Sequence, residues 1–450
     1  MLCCSPKHSF GCDLALAAIA GFGVLIGAAQ PAAAQFVQQG PKLVGSGAIG
    51  AAKQGSSVAL SADGNTAVVG GPDDNPNAPL IGATWVFVRS GGKWIQQGPK
   101  LVAISDATTN AQQGFSVGVS GDGNTAIVGG PGDNSDAGAA WTFTRGGGSW
   151  GEHDVLLGSN PVGYAQQGAS VALSADGSTA IVGGDIDNSG AGAAWVFFHQ
   201  FIAGQGYFWI QQGKLVGSSA VENALQGYSV ALSGDGNTAI VGGPLDNGYL
   251  GAAWVFTRSG GTWTQQAKLV AEDADALAEQ GWSVALSADG NTALVGGYGG
   301  AGGGAAWVFT RNSSAVWKEQ AKLVGSGAAA GANPEQGWSA ALTADGNTAV
   351  VGGPNDNQGT GAAWVFTRNG AGRWTQYGSK LIGSGGSSIA FQGCSVAVSG
   401  DGASLMVGGC DDNNEVGAVW VLCGPPLMTS TASTRATSPG AIRPATPPCG

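Results

Sequence analysis

The chain has 450 residues, of which 82 are glycine and only 10% are charged, yet it holds 43% hydrophobic residues and fifteen tryptophans. That much core-forming material excludes simple disorder. A net charge of −11 excludes nucleic acid and anionic membrane as partners, since both demand a basic surface.

Residues 1–34 read as a signal peptide: Lys7 precedes an apolar run from Leu14 to Ala29, and Ala32-Ala33-Ala34 offers a small-residue cleavage site before Gln35. The competing reading, a membrane anchor, is weakened by a run of about 16 residues, shorter than the roughly 20 that span a bilayer. Cleavage leaves no membrane span and a chain that is secreted, periplasmic or held at the cell surface. Four cysteines then remain: Cys394, Cys410, Cys423 and Cys449. Cys394 and Cys410 flank one expected hairpin, and a disulfide or buried free thiols fit that placement equally.

From Gln35 to Cys423 one pattern of about 56 residues recurs seven times: Q-G-x-S-V-A-L-S, x-D-G-N, T-A-x-V-G-G, a variable loop, G-A-A-W-V-F, and W-x-Q-Q-x-K-L-V. The D-G turns fall at Asp63, Asp122, Asp176, Asp235, Asp289, Asp345 and Asp401. The W-V-F tryptophans fall at Trp85, Trp141, Trp195, Trp254, Trp307, Trp364 and Trp420. Each unit resolves into four short strands, because β-branched and aromatic runs alternate with Gly, Asp and Asn clusters and none carries a helical period. Four strands in each of seven units predict an all-β fold, a seven-bladed β-propeller.

The seventh unit stops after Trp420-Val421-Leu422 and lacks a fourth strand. The segment Phe36 to Val44 copies Trp94 to Val102, so the N-terminal strand is expected to complete the last blade and close the ring. From Gly424 to Gly450 the repeat gives way to Pro, Thr, Ser and Ala, which reads as a disordered tail, a linker, or the stump of a longer protein.

The repeat resembles FG-GAP repeats, the units of the integrin α-subunit N-terminal propeller and of many exported bacterial proteins. The glycine of "FG" matches Gly55, Gly114, Gly168, Gly227, Gly281, Gly337 and Gly393, with Gln in place of Phe. "GAP" matches Gly70-Gly71-Pro72, Gly129-Gly130-Pro131, Gly242-Gly243-Pro244 and Gly352-Gly353-Pro354. The resemblance implies a role in protein or glycan adhesion, and calcium loops of the form D-x-D-x-D-G-x-x-D. Here that loop has shrunk to S-A-D-G-N-T, whose single carboxylate cannot wrap a calcium ion, so no metal and no cofactor are expected.

Two rings of residues are candidates for contact with a ligand. Six loops between the second and third strands carry Asp-Asn, at Asp74, Asp133, Asp187, Asp246, Asp356 and Asp412. These either shape their turns or present a ring of carboxylates. The residue after Gln-Gly varies and includes Phe115, Tyr228, Trp282 and Trp338, aromatics that either pack between blades or stack on a ligand near the axis. Catalysis finds little support: His153 and His199 stand alone in divergent copies, and no nucleophile motif or metal-ligand spacing is present. The expectation is a monomeric binding or adhesion module for a protein or glycan. The alternative is a carbohydrate-active enzyme using facing axial carboxylates.

Overall fold

The computed structural model describes residues 35–75, 81–104, 107–108, 110–204 and 206–425. Residues 1–34, read above as a signal peptide, and most of residues 424–450, with Cys449, lie outside them. Seven four-stranded antiparallel sheets form a ring of blades, a seven-bladed β-propeller. No helix among the described residues is long and apolar enough to cross a membrane.

Blade 4 shows how the repeat sequence makes its sheet. Its strands are Ser229–Leu232, Thr238–Gly243, Ala252–Ser259 and Thr262–Leu269. The D-G turn between the first two is held by side chains: Asp235 accepts from the Ser233 hydroxyl at 2.6 Å and the Asn237 amide at 2.9 Å, and Ser233 in turn accepts from the Thr238 amide at 2.9 Å. Asp and Ser thus satisfy backbone donors that a tight turn leaves over. The second strand is buried along its length, and Trp254 in the third is fully buried with its indole N–H donating to Ser218 O at 2.9 Å. That fit demands glycine at position 217, where a Cβ would lie 2.3 Å from the Trp254 ring.

The Q-Q pair of the fourth strand has a purpose that periodicity hides. The register slips between Val255 and Phe256, so one glutamine is extra, a β-bulge. Gln265 accepts from the Ser218 amide of its own blade at 2.6 Å, while Gln266 accepts from Trp317 and Arg311 of the next blade at 2.8 and 3.1 Å. One bulge therefore serves two blades.

The ring closes as the sequence predicts. The N-terminal strand Val37–Gln38 pairs with Ala418–Cys423, setting Val37 opposite Cys423 and Gln38 opposite Leu422, and Leu43 bridges to Val419. A second closure lies at the D-G face: the Ala62 amide donates to Gly121 O at 3.0 Å, the pattern passes blade by blade, and Gly400 donates back to Ala62 O at 2.9 Å. This circle of backbone bonds joins residues of every blade and exists only when the ring is complete.

Candidate functional site

The opposite face carries the longer loops. Three concentric positions of the repeat meet around the axis there: the residue before Gln-Gly, the residue after it, and the residue that follows Gly-Gly at the end of the second strand. The first is held in the left-handed region in all seven units, from Lys53 (φ 52°) to Phe391 (φ 53°), which turns the incoming connection down into the blade.

Three of the four aromatic candidates come together. Tyr228 and Trp282 have ring centroids 4.4 Å apart, and Trp282 and Trp338 lie 5.0 Å apart, so blades 4, 5 and 6 share one aromatic surface. Phe115 in blade 2 is 46% exposed and stands apart from them. The cluster has a fourth member that sequence reasoning missed. Tyr298 takes the place of the GAP proline in blade 5 and lies 4.5 Å from Trp282 and 5.0 Å from Trp338. Its identity at a position that is proline in four other copies was the available signal.

Carboxylates flank these rings. Burial raises Glu279 above its ordinary value, and a hydrogen bond with the Tyr298 hydroxyl opposes the rise. Burial also raises Glu335, which accepts from Asn355 Nδ2 at 3.1 Å. Asp185, in the GAP-proline position of blade 3, is pushed up to about 6 by burial. Burial likewise raises the Tyr228 hydroxyl, with the charge of Asp185 adding to it. On the far side of the mouth Lys53 pairs with Asp73 at 3.0 Å and Glu415 at 3.8 Å.

The six Asp-Asn aspartates face inward. All are at most 3% exposed. Asp74, Asp187, Asp246, Asp356 and Asp412 each pair with a lysine of the K-L-V strand: Lys100, Lys214, Lys268, Lys380 and Lys42. In each of the six, one oxygen also accepts from the amide of the connection entering the blade, as Asp246 does from Val221 at 2.7 Å. Blade 2 has Val155 where the lysine would stand, and Asp133 takes the Thr108 hydroxyl instead, at 2.7 Å. The paired asparagines adopt positive φ, 48° to 62°, a conformation that Asn tolerates better than most residues. Repetition of Asp-Asn is thus accounted for by the architecture, through a connection some 25 residues away and not only through the turn's own backbone.

Cys394 and Cys410 occupy the mouth positions of blade 7, where the Cys410 amide donates to Cys394 Sγ at 3.2 Å, and no disulfide joins them. The two histidines also meet, against expectation: His153 on the outer strand of blade 2 and His199 on the third strand of blade 3 lie 5.1 Å apart, with His199 stacked on Trp209 at 4.9 Å. They stand at the rim, far in the blade from the axial strands.

The units that place these residues match a known family. The model of the FG-GAP repeat fits residues 209–256 and 263–309, each span running from the outer strand of one blade through the third strand of the next. This seven-bladed propeller contains FG-GAP repeats. No curated protein matches it. Among solved structures it is similar to a putative 6-phosphogluconolactonase from Bacteroides uniformis ATCC 8492, with 15% identity, covering 73% of this chain and 85% of that one, and a TM-score of 0.48.

In this propeller the glutamine that stands where the FG-GAP repeat has phenylalanine is a clamp. Gln226 is buried, accepts from the Gly217 amide at 2.5 Å and donates to Gly217 O at 3.1 Å, fastening the connection to the strand it precedes. The adjoining Gly227 has φ of +91°, and a Cβ there would lie 2.2 Å from Ala193 O. A fixed Gln-Gly thus delivers whatever residue follows it to the mouth, which is why that position varies freely while its surroundings repeat.

Proposed function

We propose that this propeller is a secreted or cell-surface binding module that takes a glycan or protein ligand at the axial mouth of its loop-bearing face. The observation that carries this reading is the partly exposed cluster of Tyr228, Trp282, Tyr298 and Trp338, contributed by three blades at positions where, apart from Phe115, no other copy of the repeat has an aromatic residue. Blade packing is already complete without them: the seven third-strand tryptophans are buried in every blade, including those with Ser56 or Ala169 at the mouth. Large aromatic faces on a rigid scaffold supply contact area at small entropic cost, and a net charge of −11 favours neutral or cationic ligands. Phe115 and the outward asparagines of the Asp-Asn loops form the wider rim in this reading. Residues 1–34 supply export, and the chain acts without metal or cofactor.

A glycan and protein array probed with the purified chain tests the proposal. Bound ligands should lose about 1–2 kcal/mol of affinity when Trp282 and Trp338 are both replaced by alanine, beyond any loss of folding. Unchanged affinity in a folded double variant returns the rings to a packing role.

A further inference from the structure

Asp185 breaks the rule that the other buried aspartates obey. It is 6% exposed, its Oδ1 has no hydrogen-bond partner, and among the described residues no ion pair involves it. Four other blades have proline at this position, so nothing in the repeat requires an acid there. The equivalent backbone position in blade 5 aims Tyr298 at Trp282 of its own blade and Trp338 of the next. By the same geometry Asp185 faces the mouth between Ala169, the smallest side chain of its ring, and Tyr228, whose hydroxyl responds to its charge. A buried carboxylate with a vacant acceptor is unfavourable in its ionised form unless a counter-charge arrives from outside the chain.

The aromatic neighbours narrow the ligand further. Their centroids are 4.4 to 5.0 Å apart, so the rings pack on one another and leave no gap between them for a cation to enter as it would an open cage. What they present is a continuous apolar surface, which suits the C–H face of a sugar ring. Glu279 and Glu335 at its edge are acceptors for hydroxyl groups. Resting on the binding role above, we propose that the mouth takes an amino sugar, its ring against Trp282 and Trp338 and its ammonium on Asp185. A charge-assisted N–H···O bond of this kind is shorter and stronger than a neutral one.

Titration calorimetry with glucosamine oligomers, their N-acetylated counterparts and spermidine tests this. The deacetylated sugar should bind at least tenfold tighter than the acetylated one. Asp185→Asn and Asp185→Pro should each abolish that preference, and replacing Trp282 and Trp338 by alanine should weaken both sugars together. Circular dichroism checks that each variant is folded, and the proline variant carries the residue that the repeat itself uses. Equal or stronger binding of the acetylated sugar, a preference that survives both Asp185 variants, or spermidine binding as tightly as the sugar overturns the amino-sugar assignment. If none of the three binds while another ligand is found on the array, the assignment falls and the binding role stands. An array with no ligand at all overturns both.

Discussion

Asp246, 1% exposed, is joined to Lys268 at 2.6 Å, and the lysine ammonium also lies over the Trp254 ring, 5.2 Å from its centroid. The loop aspartate, the outer-strand lysine and the core tryptophan thus form a single unit, repeated with Asp187, Lys214 and Trp195 and with Asp412, Lys42 and Trp420. Removing one partner of a buried pair leaves the other charge uncompensated. Asp246→Ala should therefore destabilise the propeller by about 2–4 kcal/mol in urea unfolding, and also free the Val221 amide. A loss below about 0.5 kcal/mol would place the pair among surface ion pairs of little consequence.

The same pair ties the ends of the chain together, since Lys42 of the N-terminal segment reaches Asp412 of blade 7. Phe36 packs there too, 6% exposed and 6.2 Å from Tyr377. Deleting Phe36 to Val44 should cost on the order of 5 kcal/mol, from the lost burial of Phe36 and Leu43 together with the stranded Asp412 charge. Thermal unfolding of the deletion variant at an unchanged midpoint would contradict the closure.

Each D-G turn spends its carboxylate on the turn itself. Burial pushes Asp63, Asp122, Asp176, Asp235 and Asp289 up, but hydrogen bonds from the neighbouring Ser and Asn, or from Ser174 and Ser178 at Asp176, outweigh it and hold all five below the ordinary value of 3.8. An acid lowered in the folded state stabilises the fold above its unfolded pKa, and that contribution is lost as the pH falls through the folded one. Acid unfolding should therefore steepen below about pH 4, and Ser233→Ala should blunt it. Since these oxygens are already engaged, a chelator should leave the melting temperature unchanged. A drop of many degrees on chelation would show a calcium requirement.

Asp185 has the opposite sign. Burial raises it to about 6 from an ordinary 3.8, so between those values the folded state binds the proton more tightly than the unfolded chain does. Its ionisation costs stability that is fully lost above about pH 6 and recovered below about pH 4. Asp185→Pro should raise stability by roughly 1–3 kcal/mol at pH 7, with the gain shrinking toward pH 4 to the small entropic benefit of proline. A gain independent of pH would mean that the carboxylate is not the source of the cost.

Sequence alone determined the number of blades, the strands of each and the closure by Phe36 to Val44, because these follow from period, β-propensity and turn chemistry, all local properties repeated seven times. It also marked Trp282 and Trp338 as lying at the mouth, since strand order fixes which end of the inner strand faces which way. Partners were beyond its reach. Whether Asp246 faces a ligand or Lys268, whether Gln266 serves its own blade or Arg311 of the next, and whether Tyr298 and Asp185 join the aromatic rings all depend on contacts across blades or across some 25 residues of connection. A periodic sequence gives every copy of a position the same prior. Only the closed ring, by setting each side chain against a particular neighbour, decided that six buried aspartates are partnered by other side chains and that a seventh, Asp185, keeps a buried oxygen with no partner.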